Sequence, residues 1–337
     1  MIPNLSRRNF TRISIGSVVG FLVARLGQQT ALGNTPSWKV LNAPLLNFGK
    51  VAFANADSGI LVGANGSIAT TTNGGTDWLV RTSGTNVNVT LRGVAVIGIK
   101  NAWAVGDNGT IVATTDGGMT FIHQKPVPNV QLNAVSFVSL KKGWVVGSNG
   151  TILRTDNGGA TWVDKTPNNA DPQRNDLIDV FFLDEKNGWA VGSAGIILKT
   201  TTGGDTWIVQ KSDTNSQLFG VSFPKTNIGY AVGRDNTIIA TKDGGKHWKH
   251  QSSGIDDRTT IFLGISFIDE NRGWVVGSNA TILATENGGN SYKVQDFPGK
   301  NPATTNLSGV VFPDRSNGYV VGSNVLLKLG INLRRDT

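Results

Sequence analysis

The chain of 337 residues contains no cysteine, and its histidines number only three. The absence of thiols excludes disulfide bridges and thiolate metal ligands, although it leaves the cellular compartment open. Two of the three histidines, His247 and His250, are three residues apart, and such residues point to opposite faces of a strand. No Gly-x-Ser-x-Gly nucleophile motif occurs after residue 33. We therefore expect no catalytic residues, no metal and no cofactor.

Charged residues are also scarce, at 16% of the chain, and no proline-rich or charge-rich segment marks a linker between domains. Glycine, in contrast, is abundant, with 43 residues. Many glycines between short apolar stretches are typical of short strands joined by tight turns. The composition predicts an all-β protein, and closed all-β folds of this length often form one domain.

The chain also has no long apolar run. Its N-terminal apolar stretch, from 13 to 24, is too short to span a bilayer. It follows the pair Arg7-Arg8 and precedes the small residues Ala31 and Gly33, an order typical of a cleaved twin-arginine export signal. We expect a signal over 1–33 and one propeller domain over 34–337; an N-terminal membrane anchor is the alternative.

The basic charge of the chain belongs largely to this predicted signal. The formal net charge is +8, but residues 1–33 contain four arginines and no acid, so that the remainder carries only +4. Nucleic-acid binding usually requires a concentrated basic stripe. We therefore expect no nucleic-acid partner.

A repeat runs through the whole of 34–337. A Val-Gly pair recurs seven times at spacings of 41 to 45 residues, with its glycine at Gly63, Gly106, Gly147, Gly192, Gly233, Gly277 and Gly322. Seven units, each long enough for four strands, predict a seven-bladed β-propeller of four-stranded blades.

The third unit shows the expected strands and turns. Its four strands are predicted at 132–137, at 143–147, at 151–155 and from Trp162 onward. The turn at Ser148-Asn149-Gly150 is expected to use positive φ at Asn and Gly. In the Asn157-Gly158-Gly159 turn, polar side chains are expected to bind local backbone amides.

The seventh unit is incomplete, because it stops after a strand at 325–329 without a Gly-Gly turn or an outer aromatic residue. The missing strand lies at the other end of the chain, where Ser37-Trp38-Lys39-Val40 precedes the first repeat. We predict that this N-terminal strand closes the last blade and removes an open sheet edge.

All tryptophans and tyrosines occupy two positions of the repeat. The second-strand position holds Trp103, Trp144, Trp189, Tyr230, Trp274 and Tyr319, and the outer-strand position holds Trp38, Trp78, Trp162, Trp207, Trp248 and Tyr292. Rings repeated in this way are expected to pack between blades, where they bury a large apolar area. They form scaffold, and none is left as a platform for sugars or bases.

The Thr-x-Asn/Asp-Gly-Gly-x-x-Trp turns resemble the Asp box of neuraminidase-type propellers. That resemblance implies a glycan-binding or sialidase-like alternative, but every tyrosine is a repeat residue, and the family's N-terminal arginine motif has no counterpart here. The acidic position of the turn varies among Asp, Asn and Thr, which disfavours a calcium site in each blade.

The segments between repeats vary most, and loops on a rigid scaffold often carry binding residues. We expect them to share one face with the turns after the second strands. Five arginines are candidates for binding acidic groups of a partner on that face: Arg81, Arg92, Arg174, Arg234 and Arg258.

With Gly-Trp-x-Val-Gly-x-x-Gly-Thr-Ile at 143–152 and Thr-x-Asp-Gly-Gly-x-x-Trp at 241–248, the chain resembles the photosystem II assembly and stability factors of cyanobacteria and chloroplasts. The resemblance implies a non-enzymatic seven-bladed propeller, expected as a monomer, that binds a newly made photosystem II reaction-centre subunit. It also implies a lumenal location and membrane association through the partner. Many cyanobacterial members carry a lipid-modified cysteine, which is missing here. The alternative is a periplasmic propeller that binds another exported protein or envelope complex.

Overall fold

Each repeat forms a four-stranded antiparallel sheet, and the computed structural model contains seven such sheets. It describes residues 37–44, 48–85, 88–124, 129–167 and 175–330. The predicted signal at 1–33 lies outside these residues. Within them, the helical elements are 3-10 turns of three residues each: Ala64–Gly66, Asp107–Gly109, Ser148–Gly150, Ser193–Gly195 and Pro302–Thr304.

Blades are numbered here in chain order of their first, innermost strands. These first strands are β2 (Phe48–Phe53), β6 (Leu91–Ile97), β10 (Leu132–Phe137), β14 (Leu177–Phe182), β18 (Leu218–Lys225), β22 (Phe262–Phe267) and β26 (Leu307–Val311). The second strands are β3 (Gly59–Gly63), β7 (Asn101–Gly106), β11 (Gly143–Gly147), β15 (Gly188–Gly192), β19 (Ile228–Gly233), β23 (Gly273–Gly277) and β27 (Tyr319–Gly322).

The outer half of the blade is shorter in blades 1 to 6. The third strands are β4 (Ile68–Thr71), β8 (Ile111–Thr114), β12 (Ile152–Thr155), β16 (Ile197–Thr200), β20 (Ile238–Thr241), β24 (Ile282–Thr285) and β28 (Val325–Gly330). The outermost strands are β5 (Leu79–Arg81), β9 (Ile122–His123), β13 (Val163–Asp164), β17 (Ile208–Gln210), β21 (Lys249–His250), β25 (Lys293–Val294) and, in blade 7, β1 (Ser37–Val40).

The blades form a closed ring, because each first strand contacts the first strand of the next blade and β26 contacts β2. Blade 7 has the strand order β1-β28-β27-β26, with Trp38 opposite Leu329. The prediction that the N-terminal strand closes the last blade is confirmed.

Burial follows the position of a strand within its blade. All five residues of β11 are buried, whereas both residues of β13 are exposed. A second strand is covered on both faces by neighbouring blades, which explains its continuous apolar and small residues. The tryptophans and tyrosines pack between blades as predicted; the ring of Trp144, for example, stacks on Phe182 of blade 4 at 3.5 Å between centroids.

The repeated turns have the predicted backbone and side-chain geometry. In the turn after β11, Asn149 and Gly150 have φ of 57° and 68°. In the turn after β12, the Gly159 N–H donates to Oγ1 of Thr155 at 2.8 Å, and the Thr161 N–H donates to Oδ1 of Asn157 at 2.9 Å. The side chains thus satisfy backbone donors that have no partner strand.

The glycine that ends most second strands is required by a close approach of two backbone segments. A Cβ on Gly192 would lie 1.9 Å from the carbonyl oxygen of Asp176, the residue before the first strand of the same blade. We expect Gly192→Ala to lower the free energy of unfolding by about 1–3 kcal/mol, as overpacking commonly does. Thermal unfolding followed by circular dichroism measures the change.

Gly49→Ala is the matched control, since a Cβ there meets no atom within 4 Å. Its melting temperature should stay close to that of the parent chain. Equal effects of the two substitutions would contradict this account of the repeated glycine.

Candidate functional site

The ring has two faces with different composition. The face that we call the loop face carries the turns after the second strands and the connections between blades. The opposite face, which we call the turn face, carries the turns between first and second strands and the Gly-Gly turns. Because the connections between blades vary in length and sequence, the loop face is the more variable of the two, as binding surfaces on rigid scaffolds commonly are.

Arg92 lies on the loop face near the start of β6, where an acid of its own blade neutralises it. Its Nε is 2.7 Å from Oδ1 of Asp107, in the turn after β7. Burial acts to raise the pKa of Asp107, but hydrogen bonds from Arg92 and from the Thr90 N–H outweigh it, and the pKa is lowered. Asp107 therefore engages the Nε of Arg92, and the side chain of this arginine stays 37% exposed.

Arg234 is exposed on the loop face at the start of the turn after β19. Its Nε donates to Oε1 of Gln217 at 2.9 Å, and its guanidinium lies 5.6 Å from the ring centre of Phe219. These contacts orient the guanidinium, and among the described residues its two terminal nitrogens have no hydrogen-bond partner. Such a group can bind a carboxylate with two parallel hydrogen bonds.

Arg258 lies beside the Arg234 turn, in the exposed connection from blade 5 to blade 6. The two segments are joined by a hydrogen bond from the Asn236 N–H to the Thr260 carbonyl at 2.8 Å. The acids Asp256 and Asp257 precede Arg258. The pair of arginines therefore lies in a mixed-charge surface, in which binding depends on hydrogen-bond geometry more than on net positive charge.

The five predicted arginines do not form one patch among the described residues. Arg92 in blade 2 lies three blades from Arg234 in blade 5. Arg81 ends β5, but its side chain lines a groove together with residues of the turn face, and its Nε donates to Oγ1 of Thr70 at 2.9 Å. Arg174 lies outside the described residues. The structure thus places Arg234 and Arg258 on two adjoining segments of the loop face.

A ring of residues around the mouth of the central channel was not identified from the sequence. Each first strand has a bulge after its first residue, and the bulged residues, all of them half-buried, are Gly49, Arg92, Asn133, Ile178, Phe219, Leu263 and Ser308. Blades 4 to 6 contribute the three apolar members. Aligning the repeats at the residue after the buried Leu or Phe that begins each strand would have revealed this variable position.

Two charged residues of the described first strands, Lys50 and Asp179, interact electrostatically. Lys50 of β2 donates from Nζ to the Ser308 carbonyl at 3.2 Å. Asp179 of β14 accepts hydrogen bonds from the backbone N–H groups of Val180 and Val221, both at 3.0 Å. Burial raises the pKa of Asp179, against the opposing effects of the Lys50 charge and of these N–H donors.

The described ranges contain neither a metal-binding cluster nor a membrane-spanning helix. No group of three or more His, Asp or Glu residues there could hold a metal ion. No helix in the same ranges is long and apolar enough to cross a membrane.

Seven four-stranded blades closed into a ring define a seven-bladed repeat propeller. The chain belongs to the family of photosynthesis system II assembly factor YCF48, whose model matches residues 31–125, 123–212, 206–263 and 255–330. This confirms the resemblance found in the sequence. No curated protein matches the chain.

Solved structures of low sequence identity share the fold. A structure described as YCF48 bound to D1 peptide is 19% identical, with a TM-score of 0.72 over 87% of this chain and 96% of that one. YCF48 from Cyanidioschyzon merolae is 22% identical, with a TM-score of 0.73 over 87% and 98%. Virginiamycin B lyase from Staphylococcus aureus, at 14% identity, has a TM-score of 0.71 over 87% and 98%. Because an enzyme shares the architecture, the propeller fold alone does not define function.

Proposed function

We propose that this chain is a non-enzymatic assembly and stability factor that binds a newly made photosystem II reaction-centre subunit on the lumenal side of the membrane. Membership of the YCF48 family is the observation that carries the proposal. The solved propeller with a bound D1 peptide favours D1 as the subunit. Export by the twin-arginine route, for which Arg7-Arg8 is the sequence signal, would deliver the folded ring to the lumen or periplasm.

The loop face supplies the chemistry for this binding. Arg234 is held in place by Gln217 and Phe219, and Arg258 lies on the adjoining segment. Apolar side chains of Ile178, Phe219 and Leu263 border the same side of the channel mouth. An acidic peptide could place a carboxylate on Arg234 and apolar side chains on this rim, and a mostly preformed surface would lose little entropy on binding it.

Binding of overlapping fluorescein-labelled D1 peptides, followed by fluorescence anisotropy, tests the proposal. We expect one acidic peptide to bind the parent chain and to bind the Arg234→Ala/Arg258→Ala variant at least about tenfold more weakly, since a charge-assisted hydrogen bond contributes about 1.5–3 kcal/mol. The control is Arg315→Ala, which removes an exposed arginine from the turn face.

Unchanged affinity of the double variant would exclude these arginines from the interface. If no D1 peptide bound, and tagged protein isolated from its host captured an unrelated envelope complex, the assembly role in photosystem II would be contradicted.

A further inference from the structure

Aromatic stacking between blades is interrupted at one junction. In the described residues, six second-strand rings stack on a phenylalanine that lies in or directly after the first strand of the next blade, with centroids 3.5 to 3.9 Å apart. At the junction of blades 1 and 2, Ile60 occupies the position of the second-strand ring and Val96 that of the phenylalanine. A groove of about 450 Å³ lies there, opening to the turn face.

The backbone around this junction is matched to the smaller side chains. In the other blades, a glycine faces the first-strand phenylalanine; a Cβ on Gly143, for example, would lie 2.4 Å from the ring of Phe137. Blade 2 has Ala102 in place of this glycine, opposite Val96. The junction of blades 1 and 2 thus lacks both aromatic side chains. Blades 1 and 2 do not move together to fill the groove that remains.

The groove has an apolar wall that is open to solvent. Ile60 and Val96 line it, and so do Leu79, Ile99 and Met119, which are 59%, 60% and 65% exposed. Its volume falls in the range of about 300–1,000 Å³ that is usual for ligand pockets. An apolar group entering here would cover side chains that are otherwise left in water.

A hydrogen-bond acceptor for a ring N–H or O–H lies at the same place. At four of the other junctions the stacked ring donates to the first glycine carbonyl of the next Gly-Gly turn, as Trp103 Nε1 does to Gly158 and Trp144 Nε1 to Gly203, both at 2.9 Å. The equivalent residue at this junction is Gly117, which lines the groove. Ile60 has no donor for it.

Two cations line the groove, the exposed Lys100 and the more deeply placed Arg81. The Arg81 side chain is half-buried, only its Nε is engaged, by Thr70, and among the described residues it forms no ion pair. Two acids also line the groove, but they are bound locally: Asp77 accepts from Asn73, and Asp116 from Thr114 and Thr120. A carboxylate brought by a ligand could therefore pair with Arg81.

From these observations we propose that the groove between blades 1 and 2 binds a tryptophan or tyrosine side chain of a partner polypeptide, with a carboxylate next to it. The ring would occupy the space that an intrinsic ring fills at the other junctions, its N–H or O–H would donate to Gly117, and the carboxylate would pair with Arg81. This site is on the turn face and does not depend on the arginines of the loop face.

The methionine methyl signals of the full chain test the proposal. The chain has two methionines, Met1 and Met119, so that 13C-methyl-methionine labelling places one NMR reporter in the groove. N-acetyl-L-tryptophan should shift the Met119 signal saturably, through the ring current of the bound indole. N-acetyl-L-leucine should leave it unshifted, and N-acetyl-L-tryptophanamide, without the carboxylate, should bind about fivefold more weakly.

Three variants separate ring binding from charge pairing. Ile60→Trp should fill the groove with an indole of the chain itself and abolish the response to N-acetyl-L-tryptophan. The melting temperature of this variant shows whether the propeller is still folded. Arg81→Gln should keep the response but reduce the difference in affinity between the acid and the amide, and Lys100→Gln, which removes the exposed cation of the same groove, should reduce it less. An unshifted Met119 signal at millimolar N-acetyl-L-tryptophan, or an equal shift with the leucine compound, would overturn the proposal.

Discussion

Deleting Trp38–Val40 is expected to lower the free energy of unfolding by at least about 3–5 kcal/mol, the range for removing one buried large aromatic side chain. Trp38 is only 4% exposed and meets the ring of Phe312 edge-on at 6.3 Å between centroids. The deletion also removes the partner strand of β28 and leaves an open sheet edge. Thermal and urea unfolding should both detect the loss, relative to a chain that begins at residue 35.

Point substitutions locate the effect within the strand. Trp38→Ala should reproduce most of the loss, whereas Lys39→Ala, which changes an exposed side chain of the same strand, should change stability by less than about 0.5 kcal/mol. A deleted chain that melts at the parent temperature would show that closure by β1 contributes nothing to the stability of the ring.

The fold was predictable because one sequence repeat, of 41 to 45 residues, runs through all seven blades. The spacing of the Val-Gly pairs gave the number of blades, and the unmatched strands at 37–40 and 325–329 gave the closure. These inferences need only the count and order of strands, which repeat along the chain. Side-chain direction at the edges of blades is different, because it depends on the neighbouring blade as well as on the strand.

Arg81 illustrates this limit. The end of β5 leads to the loop face, so that sequence order predicted an arginine there, but its side chain turns into the groove beside blade 2. The pairing of Arg92 with Asp107 was within reach of the sequence, since Leu91 and Gly106 are adjacent across the hairpin. That Ile60 and Val96 replace aromatic residues was also visible. That the space stays open could not be inferred, because it depends on whether the neighbouring blades can move inward.

Trp144→Ala tests the inter-blade stack at a junction where it is complete, and it is expected to lower the free energy of unfolding by about 3–5 kcal/mol. Trp144 is fully buried, lies parallel to Phe182 within 5°, and donates from Nε1 to the Gly203 carbonyl at 2.9 Å. Truncation removes the indole from the interface between blades 3 and 4, and it leaves the Gly203 carbonyl with only the 3.2 Å hydrogen bond from Nη1 of Arg154. Trp162→Ala, at a half-buried outer position, should lower the free energy of unfolding by less than Trp144→Ala does.

A double-mutant cycle with Phe182→Ala separates stacking from simple burial. Aromatic pairs contribute about 0.5–1.5 kcal/mol beyond their buried area, so the loss in the double variant should fall short of the sum of the single losses by that amount. Urea unfolding of the four chains measures the coupling. Strictly additive losses would show that the two rings only fill space. Coupled losses would show that the stacked pair of rings joins blades 3 and 4 energetically. The junction of blades 1 and 2, where Ile60 and Val96 take the place of the two rings, would then lack this coupling.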